Sequence, residues 1–194
     1  MRVNYARCVA RVLCAACMSN TTNSLAAQGF ARMGLDFGGD KLFSAYYANG
    51  DVAEIKAGEL LDLSVGFVFD TLPDNAYGLQ TQLSLGWKFD NVSGTNGNAS
   101  WDRFPFELME FVRNDAWRIG GGLTYHMKPK LKGDGVLSDL NLKFDDAWGG
   151  VVEADYFISD QFYFGGRYTM IDYTYHGAKA SGDSVGVLMG FTWQ

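Results

Sequence analysis

The chain has 194 residues, 47% of them hydrophobic, 15% aromatic and 20% charged, with 24 Gly and 3 Pro. That length suits one domain, and the composition excludes a disordered chain, a Pro-rich linker and a charge-laced coiled coil. A formal net charge of −6, with no basic stripe interleaved by aromatics, argues against a nucleic-acid partner.

Residues 1–27 carry Arg2, Arg7 and Arg11 and no acid, then an apolar run over 12–18, then Ser24, Ala26 and Ala27. That order is the one of a secretory signal peptide. Cleavage is expected after Ala26 or one residue later, leaving a domain over 28–194 that starts near Gln28. Cys8, Cys14 and Cys17 all fall inside the leader, so the mature domain has no thiol for a disulfide or a thiolate-held metal. The residue three before Cys17 is Cys14 and not leucine, which argues against lipidation. With the three arginines gone, the net charge falls from −6 to −9. No apolar run reaches the roughly 18 residues of a transmembrane helix.

Period two then runs along the chain. A first strand over 31–37 sets Met33 and Leu35 against Arg32 and Asp36. A long connection over 38–58 holds Asn49-Gly50, a hairpin turn signal, between strand-like runs over 42–47 and 52–56. The second strand, 61–69, alternates Leu61, Leu63, Val65, Phe67 and Phe69 with Asp62, Ser64 and Gly66; the third, 77–89, alternates Leu83, Leu85 and Trp87 with Gln82, Ser84 and Gly86. The fourth, 104–112, sets Phe106 and Leu108 against Glu107, and the fifth, 117–125, sets Trp117, Ile119 and Leu123 against Arg118, Gly120 and Gly122. In the sixth, 148–158, Val152 and Tyr156 oppose Glu153 and Asp155; Leu140, Leu142 and Phe144 before it are expected to continue its apolar phase. The seventh, 162–170, sets Phe164 and Tyr168 against Arg167, and the eighth, 185–193, sets Val187, Met189 and Phe191 against Gly186 and Gly190. The connections over 70–76, 113–116 and 159–161 are short and those over 38–58, 90–103, 127–147 and 171–184 long, as in a meander crossing an outer membrane. Some strands are expected to extend beyond the membrane.

Alternation alone does not say which face points outward. A lipocalin is also an eight-stranded meander, with its apolar face inside. Three observations favour lipid on the outside. Gly34, Gly66, Gly86, Gly120, Gly122, Gly165, Gly186 and Gly190 share the polar face, where a narrow interior needs small residues. Aromatics such as Phe69, Tyr77, Trp87, Phe89, Phe104, Trp117, Tyr125, Trp148 and Trp193 lie near strand ends on the apolar face, where interfacial girdles belong. No covering helix follows the last strand. The expected class is therefore all-β: an eight-stranded antiparallel up-and-down transmembrane β-barrel of the bacterial outer membrane.

Several stretches carry a resemblance: 85–90 (LGWKFD), 103–108 (RFPFEL), 117–126 (WRIGGGLTYH) and 167–173 (RYTMIDY). With them the domain resembles the small eight-stranded outer-membrane barrels of Gram-negative bacteria, of the outer membrane protein X and outer membrane protein A kind, and within these a group with no established reaction. The last strand, ending Phe191-Thr192-Trp193-Gln194, resembles the C-terminal signal read by the barrel-assembly machinery, with Gln194 after the usual terminal aromatic. The resemblance implies passage through that machinery, a lipid and lipopolysaccharide environment and a monomer.

Chemistry is sparse. His126 and His176 are the only histidines, and neither has a partner in sequence that marks a base or nucleophile; they read as a polar residue at the barrel rim and a loop residue. No metal-ligand spacing or phosphate-cradling glycine loop is present, so no enzyme and no cofactor is expected. Two constellations stand out. Arg32, Asp36, Asp62, Glu107, Arg118, Glu153, Asp155 and Arg167 share the inward face with mixed signs and are expected to form a polar plug. Lys128, Lys130 and Lys132 in one long loop, with Lys88 and Arg103 flanking another, read either as solvated charges or as a rim that touches lipopolysaccharide phosphates. A three-residue turn over 159–161 puts Glu153 across from Arg167 inside the barrel. The functional expectation is a closed barrel that is structural or acts through its outer loops. A narrow pore for small solutes or ions is the alternative, with a lipid-modifying enzyme third.

Overall fold

The computed structural model describes residues 27–46, 52–72, 77–94 and 97–194. The expected leader, except Ala27, and the Asn49-Gly50 turn lie outside the described residues. Twelve strands follow in order: β1 (Ala27–Gly38), β2 (Lys41–Tyr46), β3 (Val52–Lys56), β4 (Leu60–Leu72), β5 (Gly78–Gly94), β6 (Gly97–Arg113), β7 (Trp117–Gly133), β8 (Asn141–Lys143), β9 (Ala147–Phe157), β10 (Phe162–Tyr175), β11 (Ala178–Ser181) and β12 (Ser184–Trp193).

Eight of these, β1, β4, β5, β6, β7, β9, β10 and β12, form the wall, each antiparallel to the next. β12 pairs back onto β1, from Gly29 opposite Trp193 to Gly38 opposite Ser184, and the sheet closes. Closure removes both edges, the condition for strands to cross hydrocarbon, where no water can satisfy a free N–H or C=O. Around the middle of the wall the outward residues are large and apolar: Met33, Val65, Phe67, Leu85, Phe106, Leu123, Val152, Phe164 and Met189 are all exposed. Two aromatic belts flank this band. Tyr77 packs on Trp117 at 6.0 Å and Phe191 on Trp193 at 6.0 Å near the short turns; Trp87 stacks on Phe89 at 4.5 Å and Tyr125 meets Trp148 at 4.6 Å near the other end. The lipocalin arrangement, with this face inside, is excluded.

The long connections hold more regular structure than their sequence suggested. β5 and β6 run on to Gly94 and Gly97, and β7 to Gly133, so the extension beyond the membrane expected of some strands takes in the connection over 90–103 and the start of that over 127–147. Above the Trp87 and Phe89 level the pattern inverts: Asn91 and Ser93 point out, while Val92, Ala99, Trp101 and Leu131 are buried. Water bathes that outer surface, so the same alternation now puts its polar half outside. An apolar core caps the lumen at the end of the long connections, built from Ile55, Ala57, Trp101, Leu131, Ile171 and Tyr173, with Leu42 and Phe43 of the β2–β3 hairpin packed against it. Leu142 and Phe144 also pack inward on this core, whereas Trp148 is 67% exposed. They therefore do not continue the outward phase of β9, because the chain leaves one face and enters the other across Asp145 and Asp146.

At the opposite end the register is the one a three-residue turn dictates: Tyr163 faces Phe157, Gly165 faces Asp155 and Arg167 faces Glu153. A wall without edges offers SDS no place to enter. Unheated protein in SDS should migrate on a gel as a compact species, and boiled protein should shift to the position of the unfolded chain; a single heat-independent band would contradict the closed wall.

Candidate functional site

All eight charged residues assigned to the inward face lie inside the wall, together with Lys88, and none of the nine is more than 4% exposed. Their carriers are β1, β4, β5, β6, β7, β9 and β10, every wall strand except β12. β12 supplies room instead. A Cβ on Gly186 would stand 2.0 Å from Asp36 Oδ1, and one on Gly190 would stand 2.1 Å from the Tyr163 ring.

Arg32 lies at the centre of the network. Its Nη1 donates to Glu153 Oε2 at 2.9 Å, and its Nη2 reaches Glu107 Oε2 at 3.1 Å, Ser64 Oγ at 3.2 Å and Asp62 Oδ2 at 3.4 Å. Arg167 meets the same acids from the other side: Glu107 Oε1 at 2.6 Å, Asp62 Oδ2 at 3.3 Å and Glu153 Oε2 at 3.6 Å. The two guanidiniums are thus bridged by shared carboxylates, a use of the planar fork that lysine could not make. Glu153 and Arg167 are cross-strand neighbours, but each makes a shorter bond elsewhere, because a long side chain in a narrow lumen reaches the opposite wall as easily as its neighbour. Toward the short turns Arg118 binds Asp155 Oδ2 through Nε at 2.6 Å and Gln80 Oε1 through Nη1 at 2.9 Å. Its guanidinium lies 4.3 Å from the Phe111 ring centre and 4.5 Å from that of Tyr163, close enough for cation–π attraction.

Two of the five residues assigned to a phosphate-contacting rim are not on it. Lys88 is buried and binds Asp36 Oδ2 at 2.5 Å, and Arg103 is buried with its guanidinium donating to the carbonyls of Ala57 and Glu59. The signal was present in the sequence: Lys88 has the parity of Gln82 and Ser84, and Arg103 that of Glu107, both inward. Lys88 completes the lumen network, and Arg103, with the Trp101 indole bonded to Ala57 O at 3.1 Å, ties the chain after β3 to the wall. Lys128 and Lys132 are exposed and Lys130 partly so, but all three stand on β7 and not in a loop.

His126 is fully buried with Nδ1 2.7 Å from the Tyr173 hydroxyl, beneath the cap. An imidazole enclosed there has no access to a substrate at the membrane edge. His176 is exposed in the turn between β10 and β11, at a φ of 48°.

No family model matches the chain, and no curated protein matches it. Among solved structures it is similar to Ail, the attachment invasion locus protein of Yersinia pestis, with 10% identity and a TM-score of 0.52 over 86% of this chain and 99% of that one. Neisserial surface protein A is also similar, with 10% identity and a TM-score of 0.43 over 84% of this chain and 95% of that one. At such identity the likeness concerns the fold. A closed eight-stranded wall with an apolar exterior between aromatic belts defines the chain as a small β-barrel of the bacterial outer membrane.

Two expectations follow from this geometry. Glu107→Gln or Arg167→Met alone leaves a buried partner uncompensated and should lower stability by about 3–5 kcal/mol, while the double variant should lose less than the two losses added; urea unfolding in micelles measures both, and strict additivity would refute the coupling. Asp146, between β8 and β9, accepts the Lys128 N–H and the Tyr125 hydroxyl, each at 2.7 Å, and these bonds hold its carboxyl below the ordinary Asp value. Its contribution is therefore complete above the ordinary value of about 3.9 and is lost only as pH falls through the lower folded value. The Lys128 amide should stay protected from exchange at pH 5, about one unit above that ordinary value, and lose protection in stronger acid.

Proposed function

We propose that this protein is an outer-membrane barrel that passes no solute and acts through the strand extensions it raises above the membrane. One observation carries the reading: the charged side chains of seven wall strands meet across the lumen within ion-pair distance. An eight-stranded interior is just wide enough for side chains to fill. Arg32 and Arg167 with their shared carboxylates occupy the middle of it, and Arg118 between Phe111 and Tyr163 occupies the end near the short turns. Above them the Trp101 and Tyr173 core and the β2–β3 hairpin close the other end. Opening a path would mean breaking several buried ion pairs together, each leaving an uncompensated charge. The barrel works as a monomer and carries out no reaction.

Purified barrel reconstituted in planar bilayers should give no stable ohmic conductance at neutral pH. Arg32→Ala combined with Arg167→Ala, which empties the middle of the lumen, should create small channels if the variant passes the heat-shift test in SDS. Reproducible wild-type channels would return the narrow-pore alternative.

A further inference from the structure

At the end of the short turns the wall surrounds a cleft of about 680 Å³, whose lining includes Gln28, Arg113, Asp115, Phe157, Asp160 and Gln161. Short turns face the periplasm in an outer-membrane barrel, so the cleft opens on that compartment. Phe157 closes it toward the lumen: it is buried, with the Tyr163 ring 5.4 Å and the Arg118 guanidinium 5.7 Å from its own ring. The rim is pre-formed. Asn114 Oδ1 accepts the N–H groups of Ala116 and Trp117, both at 2.9 Å, and Ser159 Oγ accepts that of Phe162 at 3.1 Å. The Phe157 N–H donates to Ala116 O at 2.8 Å, and the Thr192 N–H to Gln161 O at 2.9 Å. These bonds fix the two turns to each other and to β12.

Inside the wall each charged group of the network has an ion-pair partner, and the cleft differs from it in this. Among the described residues Arg113 has the Phe157 ring as its neighbour, 5.0 Å from the guanidinium, and no carboxylate within ion-pair distance, although Asp115 and Asp160 line the same cleft. Both acids are exposed, and among the described residues neither makes an ion pair. The local sequence accounts for the separation. Asp115 and Asp160 stand on two turns whose shape Asn114 and Ser159 set from within, while Arg113 is the last residue of β6 and is drawn to a buried ring by cation–π attraction. One anchored cation and two anchored acids, held apart, are the complement of a molecule that carries one carboxylate and one ammonium group.

We propose that this cleft binds a small zwitterion from the periplasm, with a free carboxylate and a free ammonium group on one short chain, as in an amino acid or a short peptide. Arg113 receives the carboxylate on its planar fork, and Asp115 and Asp160 receive the ammonium group. Gln28 and Gln161 supply amides for the remaining polar atoms, and Phe157 supplies an apolar floor. The arrangement also selects against the nearest competitors, because a simple anion meets two carboxylates and a simple cation meets the guanidinium. Turns already held by their own hydrogen bonds need little ordering when a ligand arrives. The site lies at the end of the barrel opposite the strand extensions, and the ligand stops at Phe157 without entering the lumen.

Titration calorimetry of the folded barrel in uncharged detergent micelles tests this with four probes: alanine, dialanine, dialanine amide, which lacks the carboxylate, and N-acetyl-dialanine, which lacks the ammonium group. The two zwitterions should bind, and each singly charged form should bind roughly tenfold more weakly than dialanine. Arg113→Gln should weaken dialanine roughly tenfold and leave the amide unchanged. Asp115→Asn with Asp160→Asn should weaken dialanine and leave the N-acetyl form no weaker than before. This crossed pattern separates lost contacts from lost folding, and the heat shift in SDS confirms that each variant has closed its wall. Added salt should weaken wild-type binding. No binding of either zwitterion, equal affinity for either singly charged form, or unchanged dialanine affinity in Arg113→Gln overturns the proposal. Tighter binding of dialanine than of alanine assigns the site to peptides, and the reverse order assigns it to free amino acids.

Discussion

The pairing of β1 with β12 is the contact on which the remaining structure depends. Hydrocarbon offers no hydrogen-bond partner, so each exposed backbone group would cost several kcal/mol, and a sheet of eight strands becomes admissible there only when its first and last members meet. Once they meet, each strand has one face to lipid and one to a narrow lumen, and the choice of residue at every position is constrained from two sides. The same closed wall continues above the membrane into water. The demand on its faces then reverses, and apolar residues such as Val92, Trp101 and Leu131 turn up inside where Ser84, Lys88 and Glu107 stood below.

Closing the wall creates a second problem, which the charged lumen answers. Four cations and five carboxylates, counting Lys88, lie in a space nearly shut off from water. Individually each would be expelled or neutralised; collectively they are held because every one has an ion-pair partner inside the wall. Arg32 and Arg167 both use Glu107, Asp62 and Glu153, so none of these three depends on one partner, while Asp36 is held by Lys88 and Asp155 by Arg118. A buried ion-pair network of this kind is poor evidence of net stability. It is good evidence of a filled interior, because the distances require the side chains to meet near the axis. The glycines of β12 make that meeting sterically possible.

The extensions have an independent logic. Their inner faces build a small apolar core with the β2–β3 hairpin, which Arg103 ties down by way of backbone carbonyls. Their outer faces carry amides, hydroxyls and lysines. A single bulge reconciles the two demands along β7, sending Leu131 inward and Lys130 outward after a segment in which the odd positions faced lipid. Outer surface and packing core are thus set by the same residue, Lys128, and by the carboxylate of Asp146 that holds its N–H.

Much of this was legible in the residues alone. Period two counted the eight wall strands. Glycines on the polar face and aromatics at strand ends told inside from outside, and the length of the 159–161 turn placed Glu153 opposite Arg167. These are local properties, carried by neighbours in sequence or by one turn, and they needed no knowledge of distant contacts. Parity held the same signal for Lys88 and Arg103, but their charge sent them to the rim in the sequence reading, and the structure buries both. What the sequence could not determine was which charges meet. Arg32 joins Glu153 and Arg118 joins Asp155 across wide gaps in sequence, and only closure of the wall brings them within reach. The inversion above the belt was likewise hidden, because alternation reads the same whichever half faces water, and the bulge at Lys128 was hidden because an extra residue shows only against the strand it pairs with. Local periodicity is written in the chain; the partners chosen across the lumen and the register between strands exist only once the barrel has closed.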